Sequence, residues 1–272
     1  IASKHLIVTF NGSIFNGKEL NPLLGDTLVL WLKMRDEYKA KAKQGDKIAD
    51  LIQNATKLAM NSMYGIYGTD SFMHYNVYVA ETITLTGQFI SLSVTAMINQ
   101  YLANRNVDNI DLNLDWFIRA RKSFNAKTQF VMYNDTDSFF VYDPYGLIDV
   151  NVLNNKILPR VYNYSHMFAT NEYKQFVSNY YPRVKLEFVA DSAFGTGVKK
   201  RYFLYNSKDD TYKLAGFINR QNPSFLNDYM INLFKRVCTG QLDPAKLNTV
   251  IQQEVYDLVK RYSDKLDFET LK

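Results

Sequence analysis

Two apolar runs, Phe130-Val131-Met132 and Phe139-Phe140-Val141, enclose the polar hexapeptide Tyr133-Asn134-Asp135-Thr136-Asp137-Ser138. Apolar residues of this kind read as strands, over Gln129–Tyr133 and Phe139–Tyr142, and the polar residues between them read as a five-residue turn. A hydrophobic hairpin that presents two carboxylates at its tip strongly constrains the surrounding fold. Its strands need a packed layer, and its tip needs solvent or a cation. Paired carboxylates repel one another, and a hard divalent ion such as Mg²⁺ relieves that repulsion with oxygen ligands. The plain alternative is a polar hairpin turn, because Asp and Asn are ordinary turn residues. Asp209-Asp210 reads as such a turn.

The rest of the chain reads as long elements with few breakers, since 272 residues hold only 12 Gly and 6 Pro. A strand at Leu6–Phe10 precedes an Asn11-Gly12 turn. Helices are expected over 22–43 and 48–64, broken at Gln44-Gly45-Asp46, so that they form a helical hairpin. A helix over 79–104 follows, and another over 150–181. Strands are expected at Arg183–Ala190, Gly197–Tyr205 and Thr211–Phe217, and helices at 223–238 and 243–262.

Composition narrows the function classes. Hydrophobic residues make up 47% and charged residues 22%, which excludes wholesale disorder. No run of ~18 uncharged apolar residues occurs, so no membrane partner is expected. Cys238 is the only cysteine, which excludes an internal disulfide and a thiolate zinc cluster and fits an intracellular, reducing compartment. The three histidines (His5, His74, His166) lack ligand spacing. A net charge of +5 is compatible with a polyanionic partner. The 20 Tyr and 18 Phe could stack on bases, although most such rings are core. Many Asn, Tyr and Phe with few Pro suggest an AT-rich genome, such as that of a phage or a eukaryotic virus replicating in host cytoplasm or nucleoid.

Two further constellations carry chemistry. In Lys57-Leu58-Ala59-Met60-Asn61-Ser62-Met63-Tyr64-Gly65, helical spacing sets Lys57, Asn61 and Tyr64 on one face, topped by Gly65. An ammonium and an amide in a row could grip a polyphosphate while the phenol packs on a base or sugar. Arg35 and Lys39, also i and i+4, stand on the preceding helix. The bland reading is a solvated helical hairpin of mixed charge. In Lys199-Lys200-Arg201-Tyr202-Phe203, strand alternation would put Lys200 and Tyr202 on one face and Lys199 and Arg201 on the other, a pattern that suits a phosphate backbone. The bland reading there is a charged edge strand.

Taken in order, these segments resemble the family B (alpha-like) DNA-directed DNA polymerases. Lys57-x-x-x-Asn61-Ser62-x-Tyr64-Gly65 resembles the family's motif B. Tyr133-x-Asp135-Thr136-Asp137-Ser138 resembles motif C, and Lys199-Lys200-Arg201-Tyr202 the downstream Lys-Lys-Arg-Tyr motif. Arg35 and Lys39 match a basic pair on the fingers, Glu187 an acidic palm position, and Thr84-x-x-Gly87 the palm helix after motif B. The resemblance spans roughly residues 20 to 265. It implies an α+β fold: a right-hand palm of mixed or antiparallel sheet with helices (66–215), entered by a lead-in hairpin (1–21). A fingers helical hairpin (22–65) and the start of a helical thumb (216–272) complete it.

The resemblance implies template-directed DNA synthesis, the transfer of a nucleotide from a dNTP to a primer 3′-hydroxyl with two Mg²⁺ ions, or Mn²⁺ in their place. Asp137 would be a metal ligand, Asp135 its supporting neighbour and Glu187 an accessory carboxylate. Arg35, Lys39 and Lys57 would hold the β- and γ-phosphates, and Lys57 would protonate the leaving pyrophosphate. Asn61 would hydrogen-bond the triphosphate, and Tyr64 would back the nascent base pair. Lys199, Lys200, Arg201 and Tyr202 would track primer–template DNA.

Three departures qualify the match. Asn134 stands where motif C usually has Gly, and Asn tolerates the left-handed backbone, so the turn is expected to keep its shape. Leu214-Ala215-Gly216-Phe217-x-x-Arg220 lacks the Lys and the acidic residue usual at the thumb entry. Motif A, Asp-x-x-Ser-Leu-Tyr-Pro-Ser, is absent. With that absence and the Met-less, strand-first start, the chain is expected to be one part of a split or fragmentary polymerase. It would be inactive alone, its partner a second polypeptide or upstream segment bearing motif A and the exonuclease domain. A sliding clamp or other processivity factor would be a further partner. The competing readings are an inactive DNA-binding scaffold, a terminal-protein-primed polymerase of the same family and, more distantly, an Asp-x-Asp sugar-nucleotide enzyme.

Overall fold

The computed structural model describes residues 6–9, 11–16, 22–110, 130–135, 138–165, 182–195, 198–218 and 224–263. The chain divides into two compact units, Ile1–Val184 and Lys185–Lys272.

The first unit opens with an antiparallel hairpin, β1 (Leu6–Val8) and β2 (Ile14–Asn16). Gly12 turns it at a φ of +86°, a conformation that costs glycine little. Asn11 at this turn lies within hydrogen-bond range of the Thr82 hydroxyl on α3 (Val77–Asn104), at 3.4 Å. Helices α1 (Pro22–Ala42) and α2 (Lys47–Gly68) then form the expected helical hairpin. Gly45 makes the reversal at a φ of +95°. Asp46 caps α2 by accepting hydrogen bonds from the amides of Ile48 (2.9 Å) and Ala49 (3.0 Å), a cap worth ~1 kcal/mol. Helix α2 continues past the expected end, so Gly65 lies inside it and the C-cap is Thr69.

Helix α3 is the spine of this unit. Asn76 caps its start and Arg105, at a φ of +54°, closes its end. The Arg105 guanidinium lies over the Tyr145 ring at 4.2 Å. Phe89, Val94, Met97, Ile98 and Leu102 on α3 are buried with Val131, Ile157 and Val161, and this cluster is the core. Against it lie β3 (Val131–Asp135), β4 (Ser138–Val141) and α4, a continuous helix through Val150–Val152, Leu153–Ile157 and Leu158–Ser165 whose middle stretch is π-wound. The part of the expected 150–181 helix beyond Ser165 lies outside the described residues.

Two expectations change here. The strands of the β3–β4 hairpin run further into the hexapeptide than their apolar composition suggested. Asp135 pairs with Ser138, leaving a two-residue connection rather than a five-residue turn. Arg183–Ala190 is not a strand. Its expected alternation of buried and exposed residues is absent, with Leu186 65% exposed. Alternation alone does not make a strand, and among the described residues no neighbouring strand takes its backbone hydrogen bonds. At its start the Asn154 amide takes that role instead, accepting from the Val184 amide (2.9 Å) and donating to the Val184 carbonyl (3.0 Å).

The second unit is a three-stranded antiparallel sheet, β5 (Ser192–Gly195), β6 (Tyr202–Asn206) and β7 (Thr211–Ala215), in sequence order. Helix α5 (Ser224–Cys238) packs on it through Phe234, whose ring lies 5.4 Å from Phe203 and 4.6 Å from Phe217. Burial raises the pKa of the Cys238 thiol above its ordinary value. Helix α6 (Leu247–Ser263) joins α5 through Glu254, which accepts from Tyr229 Oη and Arg236 Nη1, both at 2.7 Å. The described sheets are all small and antiparallel, so the α+β class holds. No described helix is long and apolar enough to cross a membrane.

Candidate active site

Asp135 ends β3 and is partly buried at the hairpin tip. Ser138 Oγ reaches back to its carbonyl at 3.3 Å. Thr136 and Asp137, the expected metal ligand, lie outside the described residues. Asn134 differs from expectation. It belongs to the extended strand and has no positive φ, so left-handed tolerance is not what selects it. Its side chain is instead bound to α3. Ser91 Oγ donates to Asn134 Oδ1 at 2.9 Å, and Asn134 Nδ2 donates to Thr95 Oγ1 at 2.9 Å.

One turn further along α3, Asn99 Oδ1 accepts from the amides of Phe130 (2.8 Å) and Val131 (3.0 Å). Sequence reasoning missed Ser91, Thr95 and Asn99. Their signal was the recurrence of Ser91, Thr95 and Asn99 at i, i+4 and i+8, on one face of α3.

On α2, Lys57, Asn61 and Tyr64 are all exposed, whereas Ala49, Thr56 and Met63 turn inward. The expected face therefore exists and is open to solvent. Across the hairpin, Arg35 stands seven residues before the end of α1 and Lys57 ten residues after the start of α2. In an antiparallel hairpin those heights differ by only ~4–5 Å at 1.5 Å per residue. Lys39 lies closer to the tip. Arg35 is partly buried, and its Nε has no hydrogen-bond partner among the described residues. A buried guanidinium N–H without an acceptor costs ~1–3 kcal/mol. An anionic oxygen placed there would remove that cost.

In the second unit, Lys199 and Lys200 sit on the turn between β5 and β6, and only Tyr202 opens the strand. The expected alternation of faces fails, because Lys200 adopts a φ of +60° and breaks the strand. Lys199, Lys200 and Arg201 are all exposed. Gly216, at a φ of +73°, closes on this turn. A Cβ there would lie 2.2 Å from the Lys200 carbonyl oxygen and 2.7 Å from Arg201 Cγ. Glu187 is exposed and accepts from Lys213 Nζ at 2.5 Å. That contact lowers the Glu187 pKa and raises that of Lys213. Arg220 lies outside the described residues.

The described residues contain no group of three or more His, Cys, Asp or Glu able to hold a metal. Asp135 is nonetheless a hard oxygen donor at a hairpin tip, which fits part of a Mg²⁺ ligand set.

The sequence profile of DNA polymerase family B matches residues 8–267. The DNA polymerase catalytic subunit of varicella-zoster virus (strain Oka vaccine) is 27% identical over 218 residues, covering 76% of this chain and 17% of that protein. DNA polymerase 1 of Saccharolobus solfataricus is 25% identical over 240 residues, covering 84% and 21%. The DNA polymerase catalytic subunit of Gallid herpesvirus 2 is 33% identical over 135 residues, covering 46% and 11%. This chain belongs to DNA polymerase family B. It spans about a fifth of the length of such relatives.

Proposed function

We propose that these residues form the fingers, most of the palm and the beginning of the thumb of a polymerase that performs templated DNA synthesis on primer–template DNA with dNTPs. The observation that carries the reading, beyond family membership, is Arg35. Its Nε is a buried donor without an acceptor among the described residues, on the helical hairpin that exposes Lys57 at nearly the same height. A dNTP triphosphate supplies the missing acceptors.

In this reading α1 and α2 are the fingers, with Arg35, Lys39 and Lys57 holding the β- and γ-phosphates. Asn61 hydrogen-bonds the triphosphate, Tyr64 backs the nascent base pair, and Lys57 delivers a proton to the leaving pyrophosphate. The exposed turn Lys199-Lys200-Arg201, with Tyr202, follows the duplex backbone. Asp137 would hold Mg²⁺, with Asp135 as its supporting neighbour and Glu187 as an accessory carboxylate in competition with its lysine partner. When bound, such ions lower the pKa of the primer hydroxyl and neutralise pyrophosphate. A further carboxylate comes from outside these 272 residues, since they contain no segment resembling motif A.

Primer extension tests the reading. The complete protein that carries these residues is expected to add the templated nucleotide, the 272-residue chain alone to add none, and Lys57→Ala to raise the KM for dNTP ~10-fold or more. A complete protein that binds DNA but transfers no nucleotide would instead be a scaffold.

A further inference from the structure

The polar stripe on α3 is not explained by stability alone. Ser91, Thr95 and Asn99 recur every four residues on one face. They meet β3 at both ends, Asn99 at Phe130 and Val131, Ser91 and Thr95 at Asn134. The strand therefore runs opposite to the helix. From the Ser91–Thr95 pair to Asn99 is ~9 Å of helix, against ~12 Å of regular strand from Phe130–Val131 to Asn134. The β3–β4 register shifts between Val131 and Tyr133, and an extra residue there would take up part of that mismatch. Thr95 is buried at 4% exposure, close to Val94 at 2% and Met97 at 0%, whereas Ser91, Asn99 and Asn134 are partly buried. Hydrogen bonds in such surroundings are stiff, and leaving one unmade is costly.

Asn134 immediately precedes Asp135. Strand alternation puts Asp135 on the opposite face of β3 from Asn134. A slip of one residue would exchange those faces. A glycine at position 134 could not make either side-chain contact, so in this chain the strand is fixed by a side chain where the resembled motif has none.

We propose that Asn134, held between Ser91 and Thr95, is a positioning residue. It locks the last residues of β3 onto α3 and so sets the height and facing of Asp135. The proposal rests on the polymerase reading above. The clamp's hydrogen bonds run between α3 and β3. Its loss displaces the Asp135 carboxylate without removing substrate contacts, and it acts on turnover and cation binding rather than on substrate affinity.

Single-nucleotide incorporation by the complete protein, with Mn²⁺ binding followed by electron paramagnetic resonance, tests this. Asn134→Ala and Thr95→Val are each expected to lower kcat ~10–100-fold, with the KM for dNTP and the Kd for primer–template within ~2-fold of the parent. Mn²⁺ binding should weaken in parallel. Thr95→Ser, which keeps the hydroxyl, should restore most of the rate. The Asn134→Ala/Thr95→Val double variant should be no slower than the slower single variant, as for groups acting as one unit. If Asn134→Ala fails to fold, the Thr95→Val and Thr95→Ser pair, which keeps Asn134, decides the matter. An active parent whose variants keep kcat and Mn²⁺ binding, or whose defects simply add, overturns the clamp and leaves the polymerase reading standing. A parent without templated incorporation overturns the polymerase reading, and the clamp's role with it.

Discussion

Lys213 Nζ donates to Glu187 Oε2 at 2.5 Å, joining β7 to the extended segment that precedes β5. Both side chains are substantially exposed, at 37% and 69%, so the pair contributes at most ~1 kcal/mol. The Glu187 pKa is lowered, so its share of that stability is present above the ordinary Glu value and is lost as pH falls through the lowered one. The Lys213 pKa is raised, so its share is present below the ordinary Lys value and is lost as pH rises through the raised one. In the proposed accessory role, Glu187 would exchange Lys213 for a cation. Lys213→Met is then expected to lower the Mg²⁺ concentration for half-maximal synthesis and Glu187→Gln to raise it. Unchanged Mg²⁺ titrations in both variants would restrict Glu187 to the ion pair.

Arg35 should show a trade between binding and stability. Removing a buried donor that lacks an acceptor among the described residues relieves a cost, so Arg35→Ala is expected to leave the melting temperature unchanged or raise it. The same change should raise the KM for dNTP ~10-fold or more, because a charge-assisted contact is lost. A clear fall in melting temperature with an unchanged KM would make Arg35 a purely structural residue.

Gly216→Ala should disturb the basic turn it touches. The added methyl meets the Lys200 carbonyl oxygen at 2.2 Å, and the residue must keep its positive φ, together costing ~1–3 kcal/mol or more. The Lys199–Arg201 turn must then shift. Primer–template affinity is expected to fall, and the dependence of log K on log salt to flatten as phosphate contacts are lost. Unchanged affinity and salt slope would separate this turn from DNA binding.

The α5–α6 contact predicts a pH signature. Arg236 and Tyr229 hold the Glu254 carboxyl below its ordinary value, so the contact stabilises at neutral pH and weakens as pH falls through that lowered value. Burial and the Glu254 carboxylate push Tyr229 up to about 12. The unfolded chain ionises this tyrosine first, so stability also falls as pH rises from the ordinary value near 10 towards 12. Glu254→Gln should lower the melting temperature at neutral pH and blunt the acid limb of the profile. An acid limb identical to the parent's would refute the assignment.

Local chemistry explains how much of this was legible. The helical hairpin was readable because its break carries both a glycine able to take positive φ and an Asp cap. The long helix α3 was readable from its apolar residues. The face bearing Lys57, Asn61 and Tyr64 followed from helical spacing alone. The segment 183–190 was misread because alternation reports which side chains are apolar, not whether a neighbouring strand is present to pair with. Lys199 and Lys200 were misplaced because a left-handed residue at Lys200 ends the strand, and nothing in a lysine signals that. Asn134 was read through its backbone preference, whereas its side-chain contacts lie some forty residues away on α3, where a one-dimensional pattern does not show them.

In the proposed reading, the tip of the β3–β4 hairpin supplies carboxylates for nucleotide transfer. The most direct measurement is the single-turnover rate of templated dNTP addition by the complete protein and by its Asp137→Ala variant, with primer–template affinity measured alongside. A rate loss of ~10³-fold or more at nearly unchanged DNA affinity is expected, as for removal of a group that acts in the transition state. A variant that extends primers at close to the parent rate would contradict the account.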